Sequence, residues 1–223
     1  MTRRQWARWG VLVGILWASG CNGGGTQPPG PPTDLVPTGG DRQNWFFNNP
    51  LPTVLSVTAV DIDGRAVPGV IVTWAVTSSS GSGAVSPTQS TTNAIGVATT
   101  TDSVGSSTTQ TVSATFSGLV SPASFSEFAT TPPTSAAVSL ENFAFNPKNS
   151  LVQTGGTVTW TWNDGTAVHT LNFNATDPTP RPADTPPQAT GSVTFTFTTV
   201  GTYSFFCAIH QAQGMTGQPT VVH

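Results

Sequence analysis

The sequence predicts an all-β protein built from two β-sandwich domains in tandem, and three observations carry that prediction. Only 8% of the 223 residues are charged, whereas Gly (23) and Pro (19) are abundant. Such a chain is poor in helix-forming side chains and rich in turn formers. Apolar residues alternate with Thr and Ser over short runs, the period-two pattern of half-buried strands. Two Gly/Pro-rich breaks, residues 21–33 and Thr130-Thr-Pro-Pro-Thr-Ser135, separate a block at 34–131 from one at 137–223, with 132–136 as connector. The aliphatic and aromatic content supports packed cores in both blocks.

Residues 1–20 have the layout of an export signal. Arg3, Arg4 and Arg8 form a basic start, and Val11-Leu-Val-Gly-Ile-Leu-Trp17 is an apolar stretch too short to span a bilayer. Ala18-Ser19-Gly20-Cys21 then resembles a bacterial lipobox, with Ala18 where that motif usually carries Leu. The resemblance implies cleavage before Cys21, lipidation of that cysteine, and a protein anchored in the cell envelope. Asn22, in place of Asp, implies the outer membrane where the cell has one. Thr2-Arg3-Arg4-Gln5-Trp6 also resembles a twin-arginine signal, so the export route stays open. Without the leader, four basic residues (Arg42, Arg65, Lys148, Arg181) face ten acidic ones. No basic stripe remains, which argues against nucleic-acid binding.

In the first block Leu55, Val57 and Ala59 share one face, and Asp61-Ile-Asp-Gly64 turns the chain. Val70, Val72, Trp74 and Val76 form the next inward face; Val112, Ala114 and Phe116 form a later one. Ser78–Gly83 and Gly105–Ser107 are expected as loops. The runs Val67–Val76, Thr92–Ala98 and Gln110–Thr115 resemble a bacterial Ig-like domain of the invasin/intimin type. With no His, no Cys and only scattered carboxylates, this block is expected to serve as a spacer or adhesive module.

In the second block Val158, Trp160 and Trp162 alternate inward before the Asn163-Asp164-Gly165 turn. His169, Leu171 and Phe173 share one face, Val193, Phe195 and Phe197 another, and Tyr203, Phe205 and Cys207 a third. His169 and Cys207 are thus expected to point inward on strands. Residues 174–190 hold too much Pro for a central strand and are expected as a surface loop.

The chemistry sits in Cys207-Ala-Ile-His210-Gln-Ala-Gln-Gly-Met215, joined by His169 upstream. Singly, a His on an apolar strand face, a buried Cys or a Met is ordinary core. Together, one thiolate, two imidazoles and one thioether are the ligand set of a type 1 blue copper site. Thiolate suits Cu(I), imidazole suits both oxidation states, and a weak axial thioether lets the geometry change little between them. Cys21 is the only other cysteine; a bridge from it would tie a flexible tail to the metal loop, and no disulfide is expected.

The second block also resembles the cupredoxins, specifically their plastocyanin-like small blue proteins. The resemblance rests on Phe143-Ala-Phe-Asn-Pro147, Gly155-Gly-Thr-Val-Thr-Trp160, Val168-His169-Thr170, Gly201-Thr-Tyr203 and the Cys-x₂-His-x₄-Met run. It implies a Greek-key sandwich holding one mononuclear type 1 copper on His169, Cys207, His210 and Met215, with His210 nearest solvent. Phe205, Phe206 and Leu171 are expected as its apolar shell, and His223 as a solvated bystander.

No second Cys stands in the ligand loop and only His223 is spare, which disfavours dinuclear and multicopper sites. A filled His₂CysMet set offers no open position for catalysis, so the chain is not expected to be an enzyme. The function implied is a lipid-anchored, monomeric one-electron carrier of the bacterial envelope. It would meet redox partner proteins through the apolar surface around His210, including Ala208, Ile209, Ala212 and Gly214. A copper-delivery module and an adhesion scaffold are the alternatives.

Overall fold

The computed structural model describes residues 27–77, 81 and 83–223. The leader and Cys21 lie outside the described residues. Within them the protein is all-β, with one short 3₁₀ turn at Gln211–Gln213. None of the described helices is long and apolar enough to cross a membrane.

Four sheets form two sandwiches, each with its own core. In the first, strands Asp34–Gly39, Leu55–Val60, Val97–Ser103 and Ala84–Ser86 make one sheet in that order. The facing sheet runs Asn44–Phe46, Ala123–Thr130, Thr109–Thr115, Ile71–Val76 and Gln89–Thr91. Leu55, Val57 and Ala59 point inward as their alternation requires and meet Val72, Trp74, Val112, Ala114 and Phe125. Val70, Val76 and Phe116 are only partly buried and close the edge of this core.

The second sandwich pairs Ala144–Asn146, Ser135–Glu141, Thr157–Trp162 and Ser192–Thr196 in one sheet. The other holds Asn149–Gln153, Thr216–Val222, Phe205–Phe206 and Asn172–Phe173, with Gly201–Thr202 beside Thr216–Val222. Ser135–Leu140 runs parallel to Thr157–Trp162, and Asn149–Gln153 parallel to Gln218–Val222. Parallel neighbours cannot be joined by a tight hairpin, so the chain crosses between sheets in the Greek-key manner. The first of these strands begins at Ser135, inside the segment expected as connector, because pairing with Thr157 fixes it there.

Trp160 is fully buried among Phe173, Phe205, Phe195 and Phe197, with ring centroids 5.4–6.2 Å away. The pairs with Phe173 and Phe205 are edge-to-face, and such pairs add about 0.5–1.5 kcal/mol each to the gain from burial. The cluster forms a rigid floor under one end of the sandwich. Tyr203 joins it, its hydroxyl donating back to the carbonyl of Thr199 at 2.9 Å.

Candidate metal centre

The register at that end of the second sandwich dictates what meets there. Phe205–Phe206 pairs antiparallel with Gly217 and Thr216 on one side and with Phe173 and Asn172 on the other. Cys207 therefore leaves the sheet directly opposite Met215, and its N–H donates to the Met215 carbonyl at 3.1 Å. Residues 207–215 form a hairpin loop pinned at its base. His210 lies at its tip and donates its N–H to the Cys207 carbonyl at 3.2 Å. Gly214 closes the loop with φ of 86°, a left-handed conformation that favours glycine. Gly217 must be small for a different reason: a Cβ there would sit 2.3 Å from the Lys148 carbonyl and 2.4 Å from the Phe205 ring.

His169 arrives from the neighbouring segment. His169 and Cys207 both lie just beyond the regular strands; they were expected on them. His169 forms an isolated bridge with Gln188, exchanging bonds of 2.9 and 3.0 Å. The Pro-rich 174–190 stretch has no strand of its own, yet it braces this segment. Thr185 Oγ1 accepts from the Leu171 N–H at 2.9 Å, and Asp184 accepts from the Phe173 N–H at 3.0 Å. Proline has neither an N–H to donate nor a polar side chain to accept, so these contacts fall to the non-proline residues of the stretch.

Three donor atoms converge as a result. Cys207 Sγ lies 3.8 Å from His169 Nδ1 and 3.5 Å from His210 Nδ1, and the two Nδ1 atoms are 3.0 Å apart. Nitrogen and sulfur donors held about 2.0–2.3 Å from one ion stand about 3.3–4.0 Å apart; the two Sγ–Nδ1 spacings fall in that range, and the Nδ1 pair at 3.0 Å needs to open by only a few tenths of an ångström to hold a single small metal ion. Among the described residues these three are the one His/Cys/Asp/Glu group close enough to hold a metal. Cys207, His169 and Met215 are buried, while His210 is half-buried and so nearest solvent. Met215, leading out of the loop base, is placed to supply the thioether.

Several neighbours of these side chains were not foreseen. The Thr170 N–H points at Cys207 Sγ at 3.4 Å, and the Thr170 hydroxyl accepts from the Ala208 N–H at 2.8 Å. Asp164 Oδ2 lies 3.0 Å from His169 Nε2 and accepts the Phe143 N–H at 3.0 Å. That backbone bond, followed by the contact with His169, holds the Asp164 carboxyl below its usual pKa. Phe143 lies edge-on to both imidazoles, 4.9 Å from His210 and 5.8 Å from His169. It and Asn142 have φ of 56° and 52°; for Phe that conformation costs on the order of 1–3 kcal/mol. Of the expected shell, Leu171 and Phe205 are fully buried. Phe206 is half-buried and faces away, lining a surface cleft of about 400 Å³ with Lys148, Asn174 and Gln211.

A family model for copper binding proteins of the plastocyanin/azurin family matches residues 133–222. That stretch is a cupredoxin-type copper-binding domain, and copper is its cofactor. Among solved structures, the chain is similar to dithionite-reduced auracyanin from Roseiflexus castenholzii at 27% identity. That match covers 41% of this chain and 99% of the other, with a TM-score of 0.35. It is also similar to a purple cupredoxin from Nitrosopumilus maritimus (26% identity, 39% and 98% covered, TM-score 0.33). Plastocyanin from Dryopteris crassirhizoma gives 26% identity, 38% and 98% covered, and a TM-score of 0.34. Comparison with curated proteins gave no match.

Proposed function

We propose that this protein is a one-electron carrier of the bacterial envelope, in which Cys207, His169, His210 and Met215 would hold copper. The observation that carries the reading is the convergence of one Sγ and two Nδ1 atoms at one end of the sandwich. Bound copper supplies a one-electron couple. The chain's own residues do the rest.

The Thr170 N–H steadies the Cys207 sulfur, and the aromatic floor excludes water beneath it. Ligands fixed this firmly need not move much between oxidation states. His210 reaches the surface among exposed Ala208, Ile209 and Ala212, an apolar rim suited to brief contact with a partner protein. The first sandwich acts as a spacer, and lipid on Cys21 supplies the anchor.

Purified protein should turn intensely blue with one equivalent of Cu(II), through charge transfer from the Cys207 thiolate. Cys207→Ser should abolish the colour completely. A colourless wild type with copper correctly bound defeats the assignment, and ready loss of copper to a modest chelator favours delivery over electron transfer. Cys21→Ala should shift the protein from the detergent to the aqueous phase; identical partitioning would replace the lipid anchor with a simple secretory signal.

A further inference from the structure

We propose that Asp164 is a positioning residue of the metal centre: its carboxylate holds His169 with Nδ1 aimed at the metal and biases bound copper toward the divalent state. The proposal rests on the electron-carrier reading and adds to it a residue that sets the potential.

The geometry fixes the tautomer. An ionised carboxylate facing an imidazole nitrogen at 3.0 Å can only accept a hydrogen bond from its N–H, so Nε2 carries the hydrogen and Nδ1 keeps its lone pair. Nδ1 is the atom turned toward Cys207 Sγ and His210 Nδ1. Among the described residues this is the sole histidine–carboxylate pair; the His169 side chain is 0% exposed and that of Asp164 17%.

Among the described residues no Lys or Arg forms an ion pair with Asp164. The arginine ion pairs of the described residues, Arg42–Asp41 and Arg65 with Asp61 and Asp63, all lie in the first sandwich. An unbalanced anion against the outer nitrogen of a ligand makes that ligand more basic and favours the more highly charged metal ion. Asp164 is itself held in place. It lies in the turn after Thr157–Trp162, where Ala167 N–H donates to its carbonyl at 3.0 Å, and the left-handed Asn142–Phe143 pair aims the Phe143 N–H at its Oδ2. The Phe143 ring then lies against both imidazoles. The same Asn142–Phe143 pair closes the two-residue hairpin between Glu141 and Ala144, a turn that calls for positive φ at both positions, so the turn that joins these strands also delivers the Phe143 N–H to Asp164.

Asp164→Asn separates charge from position, because the amide oxygen can still accept from Nε2–H. In the copper-loaded full chain it should stay blue while the Cu(I) preference rises about tenfold, a potential increase of about 59 mV for one electron. An unchanged potential with intact colour overturns the electrostatic role and leaves the copper assignment standing; a colourless wild type overturns that assignment instead. Nitrogen-15 NMR of the copper-free protein should show His169 as the Nε2–H tautomer in wild type and Asp164→Asn, and as a mixture in Asp164→Ala. A Nδ1–H tautomer in the wild type overturns the positioning role, and that readout decides alone where a variant fails to take up copper.

Discussion

The two sandwiches bury polar groups in opposite ways. In the second, the buried histidine and cysteine are brought to one point by the register of adjacent strands and can share one ion. In the first, the buried polar groups include carboxylates, among them Asp102 and Glu127, beside amides and hydroxyls. Asp102 takes both its oxygens' bonds from Gln110 Nε2 at 2.8 Å, and Glu127 Oε2 accepts the Gln43 N–H at 2.8 Å. Glu127 Oε1 is buried with no partner. The two sandwiches thus differ in what their buried polar groups can hold, metal donors in one and carboxylates in the other, which supports the view that function belongs to sites grafted on folds.

Emptying each core in turn tests whether the two sandwiches are independent. Trp74 and Trp160 are both buried, each in the core of its own sandwich. Trp74→Ala and Trp160→Ala should each cost about 3–5 kcal/mol and lower only the transition of their own sandwich in calorimetry. A single merged transition in either variant would mean that the two cores are not independent. The phenylalanine variants sharpen the contrast. Trp74 Nε1 donates to Ser90 Oγ at 2.8 Å, whereas Trp160 Nε1 has no partner. Trp74→Phe should therefore cost about 1 kcal/mol more than Trp160→Phe, since it gives up a made hydrogen bond.

The buried carboxylates give the next largest effect. Burial pushes Glu127 up to about 7, reinforced by the nearby charges of Asp102 and Asp41 and opposed by the Gln43 N–H. Burial likewise raises Asp102 to about 6, against the bonds from Gln110 and Ser103. An acid whose folded pKa lies above its unfolded value holds a proton that the unfolded chain has released. Stability of the first sandwich should therefore fall as pH rises from about 4 to about 7, then level off. For Glu127 the loss is on the order of 3 kcal/mol. Glu127→Gln should raise the first transition at pH 8 and leave it nearly unchanged at pH 4. A variant equally stabilised at both values would show that charge is not the cause.

What the sequence made legible follows the range of each interaction. Leu55, Val57 and Ala59, or Val158, Trp160 and Trp162, reveal their facing because alternation is local. Cys207, His210 and Met215 were legible for the same reason, since one short loop holds all three. Asp164 was not: it stands in an Asn-Asp-Gly turn that any surface hairpin could use. Only the return of residues 165–168 brings it to His169. Phe143 lies over the imidazoles because of its left-handed backbone, which a sequence motif does not display. Asp102 and Glu127 run against the usual exposure of acids, and Gln110 and Gln43, which receive them, are separated from them in sequence.

The smallest effect tests how the two halves are joined. Asn49, in the first sandwich, is buried, and its Oδ1 accepts the His223 N–H at 3.0 Å while its Nδ2 donates to the His223 carbonyl at 3.2 Å. His223 follows strand Thr216–Val222, whose other end adjoins Met215. At about 3.3 Å per residue the strand puts roughly 20 Å between this clamp and the metal loop. Asn49→Ala removes both bonds, each worth about 0.5–1.5 kcal/mol, together with the Nδ2 bond to the Phe47 carbonyl at 2.7 Å. Both sandwiches should stay folded, with their transitions lowered by only a few degrees. NMR relaxation should then show the halves tumbling more independently than in wild type, and the copper colour and potential should not change. A shifted potential would mean that the spacer reaches the metal through the length of that strand; unchanged tumbling would place the rigid joint in the Pro132–Thr134 connector, where Gln153 and Thr157 N–H groups already bond the Pro133 and Thr134 carbonyls at 2.8 and 3.0 Å.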